Sequence, residues 1–498
     1  MKPVNIGGHS AYQKRVLEQL VKYYPDAVSS IDSATWIIME QFWNLDLSAV
    51  DLIMQDRYSI FGPEPRLPSD MLRSYLLSMK FKITSITKWA SALKLNPLYT
   101  ILSGFQVGDT PGTGTFYDFT DRLWLSEDKN ISEKIHSPKA KPKKPKKKGE
   151  KAAPVEKVTV YDLLARFEIE PPQDLQPAGR LIEIFKSQFL DVSVQKELID
   201  TSNLSISGDG TPVCVGAREH KTRLCVCPEN GIRDCKCPRL YHQPDCDYGW
   251  DSHRNCSYFG YDLYMLTAAD SENDLPIFPF LSPASRHDSH GFLYNWFSMR
   301  RSFPDITVTK LLLDSAHDAM AYYEYCAEHN IKPFIDLNGK GGRPPVYKDD
   351  FTIDDDGVPV CKEGFRMRRD GTENSKGRTK FKCPKISFHG NREPVCTCEN
   401  PCSDAKYGRT VHLVMKDNPR LFNDPPRSSK EWKEEYNART SSERCNKREK
   451  IDYKLEDGRH RSSKMWYCRL ITIMMCQHLD AWALPKTSRL KDLFEKAA

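Results

Sequence analysis

The chain has 498 residues, of which 39% are hydrophobic and 28% charged, and its formal net charge is +6. This length exceeds what one ordinary hydrophobic core supports and predicts two or three domains. No apolar run approaches the roughly 20 residues of a membrane span, and no apolar signal region follows the first residues, which predicts a cytoplasmic protein. The 16 cysteines then indicate thiols or metal sites rather than disulfides.

Residues 1–130 are predicted to form an all-α N-terminal domain. Apolar residues recur at helical spacing around Trp36 and Phe42, in the run PSDMLRSYLLSM, and around Trp89. Two short helices joined by a tight connection can form a helix-turn-helix that reads DNA. Such pairs also build most small helical domains, and the pattern alone favours that second interpretation.

A Lys/Pro-rich segment, residues 131–157, follows this domain. Its part SPKAKPKKPKKKGEKAAPVEK contains nine Lys and two Glu, a net charge of +7, so the rest of the chain is close to neutral. The segment has few apolar residues to bury, which predicts a disordered linker. Two roles stay open for it: neutralising DNA phosphates or serving as a solvated spacer.

Residues 158–202 are predicted to be helical, with a break at Pro171 and Pro172, and to brace the domain of residues 203–498. In that domain three β-rich runs, LSISGDGTPVCVG, YFGYDLYMLTAAD and LPIFPFLSPAS, precede alternating helices and strands up to KPFIDLN. This order predicts an α/β fold with a mixed sheet flanked by helices. The Met-rich stretch from Ser463 is predicted to be a core helix.

Residues 436–450, YNARTSSERCNKREK, carry the most regular polar pattern in the chain. On an α-helix, at about 100° per residue, Tyr436, Arg439, Glu443 and Lys450 fall within about 60° of one another. Charged side chains are seldom fully buried unless paired, so this stripe is not core. The simplest interpretation is an exposed helix in which Arg439 and Glu443 form an i,i+4 ion pair.

The spacing Y-x(2)-R-x(3)-E-x(6)-K also resembles the signature of bacterial insertion-sequence DDE transposases with a Tyr-Arg-Glu-Lys motif, of the insertion-sequence-four/five type. The N-terminal region is similar to theirs: a Pro-rich lead-in, FGPEPRLP, precedes the LLSM helix and the segment GTGTFYDFTDRLW. The resemblance covers most of the chain and implies an RNase H-like catalytic core of the retroviral-integrase type. The Lys-rich linker and two Cys-rich insertions, at about 214–256 and 345–430, depart from it.

In such a core the resemblance implies that Asp209, Asp314 and Glu443 are the catalytic residues and the ligands of two Mg²⁺ or Mn²⁺ ions. Asp209 lies in LSISGDG, where it alternates away from the apolar residues, and Asp314 ends the run TVTKLLLD. The carboxyl end of a central strand is where sites in open α/β sheets collect. Two ions about 3.5–4 Å apart can activate a nucleophile and stabilise a leaving oxygen.

The other members of the stripe are implied to bind DNA. Arg439 and Lys450 would contact phosphates near the cleavage point, where cations favour the transition state, and Tyr436 would position the strand. Taken alone, the Asp-Gly pair at Asp209 is a common turn. His287, His317 and Asp318 lie nearby in the sequence and are interpreted as capping or supporting groups rather than metal ligands.

The cysteines fall into two groups, and four Cys or His ligands suit tetrahedral zinc. The first group contains Cys225, Cys227, Cys235, Cys237, Cys246 and His242, with Cys214 and Cys256 outside it, and the second contains Cys361, Cys383, Cys396, Cys398 and Cys402. Most of the pairs are C-x-C rather than the usual C-x(2–4)-C. Structural zinc in at least one group is the favoured interpretation, and reduced free thiols are the alternative. The Arg- and Lys-rich residues 366–385 can instead reach DNA.

The expected function is therefore that of a DNA transposase. It would bind the terminal inverted repeats of its element as a homodimer, on double-stranded DNA of the nucleoid, and catalyse metal-dependent cleavage and strand transfer. Two alternatives stay open. One is a catalytically silent, domesticated DNA-binding protein, and the other is a nuclease of the same fold that does not join DNA ends.

Overall fold

The computed structural model of the protein describes residues 8–59, 61–62, 64–131, 135–136, 158–217, 221–338, 351–354, 356–387, 395–405, 407–458, 460–484 and 489–497. The Lys/Pro-rich segment, for which disorder was expected, lies almost entirely outside this set. Of that segment the structure describes residue 131 and the short strand Ile135–His136.

Helices fill the first part of the chain and flank a sheet in the second part. They are α1 (His9–Tyr23), α2 (Ala27–Ser30), α3 (Ser33–Asn44), α4 (Ser48–Ile53), α5 (Pro68–Lys80), α6 (Ile86–Leu95), α7 (Pro97–Ser103), α8 (Thr113–Leu123), α9 (Val160–Ile169), α10 (Gly179–Phe185), α11 (Asp191–Gln195), α12 (Asp288–Ser302), α13 (Met320–Glu328), α14 (Lys430–Asn437), α15 (Thr440–Lys447), α16 (Ser463–Ala481) and α17 (Leu490–Ala497). No helix in the described ranges is both long and apolar enough to cross a membrane.

The strands are concentrated after residue 203, where the β-rich runs were predicted. They are β1 (Ile135–His136), β2 (Leu204–Cys214), β3 (Lys221–Arg223), β4 (Arg239–Tyr241), β5 (Asp247–Asp251), β6 (Cys256–Ala268), β7 (Pro276–Pro283), β8 (Val308–Leu313), β9 (Lys332–Ile335), β10 (Phe351–Ile353), β11 (Pro359–Cys361), β12 (Arg368–Glu373), β13 (Arg378–Lys382), β14 (Ile386–Ser387), β15 (Val395–Cys396) and β16 (Thr410–Val414).

The central sheet is mixed, as predicted. Its strands follow the order β5-β6-β2-β8-β9. Two strands share one edge of the long strand β6: β5 pairs with its residues 256–260, and β7 pairs with its residues 261–267. Strands β2, β6 and β7 form an antiparallel meander, whereas β8 pairs parallel to β2 and β9 parallel to β8. Strand β8 pairs with residues 204–207 of β2, and among the described residues no strand pairs with the second half of β2 on that edge.

Helices cover both faces of this sheet. Paired residues of antiparallel strands share a face, so the register Gly210–Tyr264 places these two residues on one face, and α12 packs there through Gly291 against the Tyr264 ring. Helix α15 packs on the opposite face, where the hydroxyls of Ser207 and Ser441 are 2.6 Å apart. Helix α16 is buried along nearly its whole length, which confirms the predicted core helix.

The N-terminal helices, α1 to α8, share one continuous hydrophobic core with the sheet and its helices. The ring of Trp36 in α3 meets Phe494 of α17 edge to face, with centroids 6.3 Å apart. Gln41 donates to the carbonyl of Leu479 in α16 at 3.4 Å. The helical content predicted for residues 1–130 is confirmed within the described residues, and the last two helices of the chain hold this region onto the rest.

The second Cys-rich insertion contains small sheets of its own. Strand β10 pairs with β11, β14 pairs with β15, and β12, β13 and β16 form a three-stranded sheet. A separate hydrophobic cluster around Phe381 and Leu413 supports them. The buried Asp318 of the main domain anchors this insertion, because both its oxygens accept from the Arg420 guanidinium, at 2.8 and 2.6 Å.

Candidate functional site

The three carboxylates singled out in the sequence come from three different elements. Asp209 lies in β2, Asp314 directly follows β8, and Glu443 lies in the first turn of α15. Asp209 and Glu443 line one open cavity of about 740 Å³. Burial raises the pKa of Asp209, and the negative charge of Asp314 raises it further, so Asp314 lies near Asp209. The fold therefore brings together residues that are separated by 105 and 129 positions in the sequence.

Each carboxylate is held by a partner from the chain. Asp209 Oδ2 accepts from Asn446 Nδ2 at 3.2 Å, and Glu443 Oε1 accepts from Arg439 Nη2 at 2.6 Å. Asp314 Oδ1 lies 2.6 Å from His317 Nδ1 and accepts from the backbone N–H of Ala316 at 3.1 Å. These contacts fix the direction in which each carboxylate points.

A buried hydrogen bond also fixes the ring of His317. Its Nε2 lies 2.9 Å from the Tyr264 hydroxyl on β6, and the ring is almost fully buried. Burial raises the pKa of Asp314, but the hydrogen bond and charge of His317 outweigh this and lower the pKa below its ordinary value. His317 therefore favours the ionised form of Asp314, which agrees with the supporting role interpreted from the sequence.

Asp209 is in the opposite electrostatic situation. Burial, followed by the negative charges of Asp314 and Glu443, raises its pKa to about 6. Arg439 opposes this shift only in part. Burial and the two neighbouring carboxylates therefore both disfavour the charged form of Asp209, and such perturbed groups cluster at functional sites.

Two further acidic residues lie at this site and were missed in the sequence. Asp262 of β6 and Asp288, the first residue of α12, both line the same cavity. A Cβ added at Gly210 would lie 3.1 Å from Asp262 Oδ1 and 3.2 Å from Asp288 Oδ1, so both carboxylates approach the backbone of β2 closely at this glycine. Asp262 pairs with Pro212, whose side chain lies on the face of β2 opposite to that of Asp209. Both acids therefore approach β2 from the face opposite Glu443.

Asp262 is the most enclosed of these acids. It is 6% exposed, and its Oδ2 has no hydrogen-bond partner among the described residues. Burial and the charge of Asp288 raise its pKa well above the ordinary value, and burial also raises the pKa of Asp288. The sequence signal for Asp262 was an acid inside the apolar strand YFGYDLYML. Asp288 gave no comparable signal, since an acid in the first turn of a helix is common.

The Tyr-Arg-Glu-Lys stripe does not lie on a single α-helix, which corrects the sequence interpretation. Helix α14 ends at Asn437, α15 begins at Thr440, and residues Arg448–Asp452 form a π-helix. The wider π turn rotates Lys450 towards β2, where its Nζ donates to the carbonyl of Pro212 at 2.5 Å and lies 3.7 Å from Glu456 Oε1. Lys450 nevertheless lines the cavity with Glu443.

The aromatic end of the stripe is packed more deeply than a solvated face requires. The ring of Tyr436 stacks on Trp432 with centroids 4.5 Å apart, and the Arg439 guanidinium lies 5.7 Å from the Tyr436 ring centroid. Burial raises the pKa of Tyr436 to about 12, so the phenol stays neutral. Tyr436 therefore holds Arg439 in place beside Glu443. His287, by contrast, caps α12 by accepting from the backbone N–H of Ser289 at 3.2 Å.

The first cysteine group is divided by the fold. The ligand atoms of Cys225, Cys227, Cys235 and Cys237 all lie within 4.8 Å of one another and could hold a metal ion such as zinc. His242 and Cys246 are not part of this set, and Cys246 is fully buried, which raises the pKa of its thiol. Cys214 and Cys256 also lie outside the set.

The second cysteine group does not form such a set within the described residues. Cys361 and Cys383 are buried and Cys398 and Cys402 are half-buried, but no three His, Cys, Asp or Glu ligand atoms of this region meet the same 4.8 Å criterion. The side chain of Cys396 lies outside the described set. In the part of the chain that the structure describes, the expected zinc site is therefore supported for the first group.

No protein-family model matches the chain, and no curated protein sequence matches it. The geometry of the site and the resemblance of its motif therefore carry the functional argument.

Proposed function

We propose that the protein is a DDE-type DNA transposase, an enzyme that cuts and rejoins DNA with the help of divalent metal ions. The observation that carries the proposal is that Asp209 and Glu443 line one cavity, and that Asp314, which follows the strand parallel to β2, lies near enough for its charge to act on Asp209. The antiparallel meander of β2, β6 and β7 followed by the parallel strands β8 and β9 is the arrangement expected of an RNase H-like core.

The residues at this site fit Mg²⁺ or Mn²⁺. Carboxylate oxygens are the ligands that these hard cations prefer. Burial, followed by the charges of Asp314 and Glu443, raises the pKa of Asp209, and a bound cation would offset both causes. Asp262 Oδ2 is a buried oxygen without a partner in the described structure. Asp209, Asp314 and Glu443 would hold the metal, with Asp288 close by. When bound, two such ions supply an activated nucleophile and charge stabilisation at the leaving oxygen of a phosphodiester.

The surrounding side chains orient these ligands. Asn446 fixes the Asp209 carboxylate, and His317, itself held by Tyr264, fixes that of Asp314. Glu443 is bound to Arg439, so metal binding by Glu443 would release the guanidinium. A released Arg439 can then donate to a DNA phosphate, since a planar guanidinium matches phosphate oxygens well.

Other cations of the cavity suit a polyanion. Lys447 and Lys450 line the cavity together with Glu443, and so does Arg254, which belongs to the first Cys-rich insertion. Contacts of this kind give salt-dependent affinity without sequence specificity. Recognition of the terminal repeats would fall to the N-terminal helices, and two copies of the chain would act on a pair of ends; both statements rest on the resemblance.

The test is a cleavage assay on double-stranded DNA that carries the ends flanking the protein's own gene, with Mg²⁺ or Mn²⁺. We expect the wild type to cut and join these ends. Asp314→Asn and Glu443→Gln should bind the DNA and fail to cut. A matched control is Glu434→Gln, which changes an exposed glutamate of the preceding helix and should leave cleavage unchanged.

Three other results would count against the proposal. Cutting without joined products favours a nuclease that does not transpose. Binding without cutting, with every metal tried, favours a DNA-binding protein that has lost its chemistry. Full activity of both carboxylate variants would remove Asp314 and Glu443 from the site altogether.

A further inference from the structure

The segment that contains β3, β4 and the four clustered cysteines, residues 221–241, is called the cysteine knuckle below. Its two strands pair over only three residues, from Lys221–Tyr241 to Arg223–Arg239. Between them the chain makes a tight turn in which the backbone N–H of Ile232 donates to the carbonyl of Cys227 at 2.9 Å, and Gly231 adopts a φ of +76°. The backbone therefore folds back so that the two C-x-C pairs face each other.

The cysteine knuckle has no hydrophobic core of its own. From residue 222 to 240, every side chain is half-exposed or exposed. Its apolar side chains are among the exposed ones: Leu224, Val226 and Ile232 are 50%, 61% and 54% exposed. The two-residue strand β1 pairs with β4 and completes a small three-stranded sheet. Such a sheet needs a hydrophobic face or a covering helix for independent stability, and small units without a core need a cross-link such as a metal ion or disulfides.

The sulfur positions match a metal cross-link. Sγ of Cys225 lies 3.4 Å from Sγ of Cys235, and Sγ of Cys227 lies 3.6 Å from Sγ of Cys237. All four sulfurs lie within 4.8 Å of one another. A tetrahedral zinc site with Zn–S bonds of about 2.3 Å places its sulfurs roughly 3.8 Å apart. The four thiols are therefore spaced as a tetrathiolate site requires.

We propose that Cys225, Cys227, Cys235 and Cys237 bind one structural zinc ion as thiolates, with their four protons released to solvent on binding. Thiolate ligands select zinc among the common divalent ions, and a closed set of four leaves no open position for catalysis.

A neighbouring arginine supports the charge of this site. Four thiolates around Zn²⁺ leave a net charge of −2, and Arg239 Nη2 lies 3.7 Å from Cys235 Sγ while it donates to the Cys235 carbonyl at 3.2 Å. Zinc displaces the thiol protons when it binds, because the thiolate is the form of cysteine that ligates a metal.

The base of the insertion is anchored without the metal. Gln243 Nε2 donates to the Tyr261 hydroxyl at 2.8 Å, and that hydroxyl donates to Asp245 Oδ1 at 2.8 Å. Gln243, Asp245 and Cys246 are buried against β6 and the start of α16. Zinc should therefore order the cysteine knuckle alone, and its removal should leave the central sheet and the acidic cavity intact.

The experiment measures metal content in the full-length protein, purified under reducing conditions and without chelators. We expect about one zinc ion per chain by elemental analysis. Replacement by Co²⁺ should give the strong thiolate-to-metal charge-transfer absorption and the visible bands of a tetrahedral tetrathiolate site. Cys225→Ser and Cys237→Ser should each abolish these signals, whereas Cys256→Ser, which changes an exposed cysteine outside the set, should retain them.

Hydrogen exchange separates a structural zinc from an incidental one. After zinc removal by a chelator, protection should fall at least tenfold within residues 221–241 and stay unchanged in β2, β6 and β8. The proposal is overturned if the purified chain holds no zinc, if the two serine variants keep their zinc, or if mass mapping finds Cys225–Cys235 and Cys227–Cys237 disulfides. None of these measurements depends on DNA cleavage, so a failure here leaves the proposed function untouched.

Discussion

Glu449 makes the stability of this protein depend on pH in a direction opposite to that of most carboxylates. It lies in the π-helix that continues the Glu443 helix and is fully buried. Its Oε1 accepts from Gln477 Nε2 at 3.3 Å, and its Oε2 has no partner among the described residues. Burial raises its pKa from 4.5 to about 8, with Arg448 opposing the shift. At neutral pH the folded protein therefore holds Glu449 as a neutral acid.

The sign of the effect follows from proton binding. Between pH 4.5 and about 8 the folded state keeps the Glu449 proton while the unfolded chain loses it, so the free energy of unfolding falls as pH rises through this range. The difference between 4.5 and about 8, at about 1.4 kcal/mol per pH unit, amounts to about 5 kcal/mol. Glu449→Gln removes the titration, so it should stabilise the protein by up to this amount above pH 8 and by almost nothing below pH 4.5.

The assay is urea unfolding of the wild type and Glu449→Gln at pH 4.5, 6.5 and 8.5. The gap between their unfolding free energies should widen with pH. Glu434→Gln, a change at an exposed glutamate, should stay within about 0.5 kcal/mol of wild type at every pH. A gap that stays constant with pH, or a wild type more stable than Glu449→Gln at pH 8.5, would refute the burial argument.

Three further changes test the site and the packing around it. Asp288→Asn should lower the affinity for Mn²⁺, measured by electron paramagnetic resonance, by about tenfold or more. An unchanged affinity would place Asp288 outside the metal site. Gly208→Ala should destabilise the protein by about 1–3 kcal/mol in thermal unfolding, because the new Cβ would lie 2.8 Å from the Tyr264 ring and hydroxyl; a wild-type melting temperature would contradict this packing. Arg427→Ala should lower the free energy of unfolding in urea by about 3 kcal/mol, because the buried guanidinium donates to the carbonyls of Ile335 and Arg420 at 2.9 and 2.6 Å. A loss below about 1 kcal/mol would show that water replaces these hydrogen bonds.

Local patterns were sufficient to predict the main elements. The alternation of apolar and small residues in LSISGDG predicted β2, the apolar run before Asp314 predicted β8, and the Met-rich stretch from Ser463 predicted α16. These predictions succeeded because side-chain periodicity is a property of neighbouring residues and needs no partner. The mixed character of the sheet followed from the order of the elements alone.

The stripe of residues 436–450 shows where local reasoning stops. On an ideal α-helix the four polar side chains of the stripe would lie on one face. In the folded protein these residues belong to separate helical segments. Tyr436 is held by stacking on Trp432 in α14, whereas Lys450 is turned by the π-helix towards the carbonyl of Pro212. A π turn depends on what the helix packs against, here the buried Glu449 beneath α16, and the sequence pattern carries no signal for it.

The choice among the cysteines was likewise made by the tertiary structure. The sequence left six Cys or His residues of the first group as possible zinc ligands. The β3–β4 register brings four of them together, while Cys246 is buried in the main core.

The sequence by itself therefore determined the elements, the mixed sheet and three candidate carboxylates. Only the tertiary structure decided that Asp262 and Asp288 approach Gly210 and line the same cavity as Asp209. The reason is physical: periodicity within one segment records which face of an element is buried, but which distant side chains meet there depends on strand register and helix packing across the whole fold.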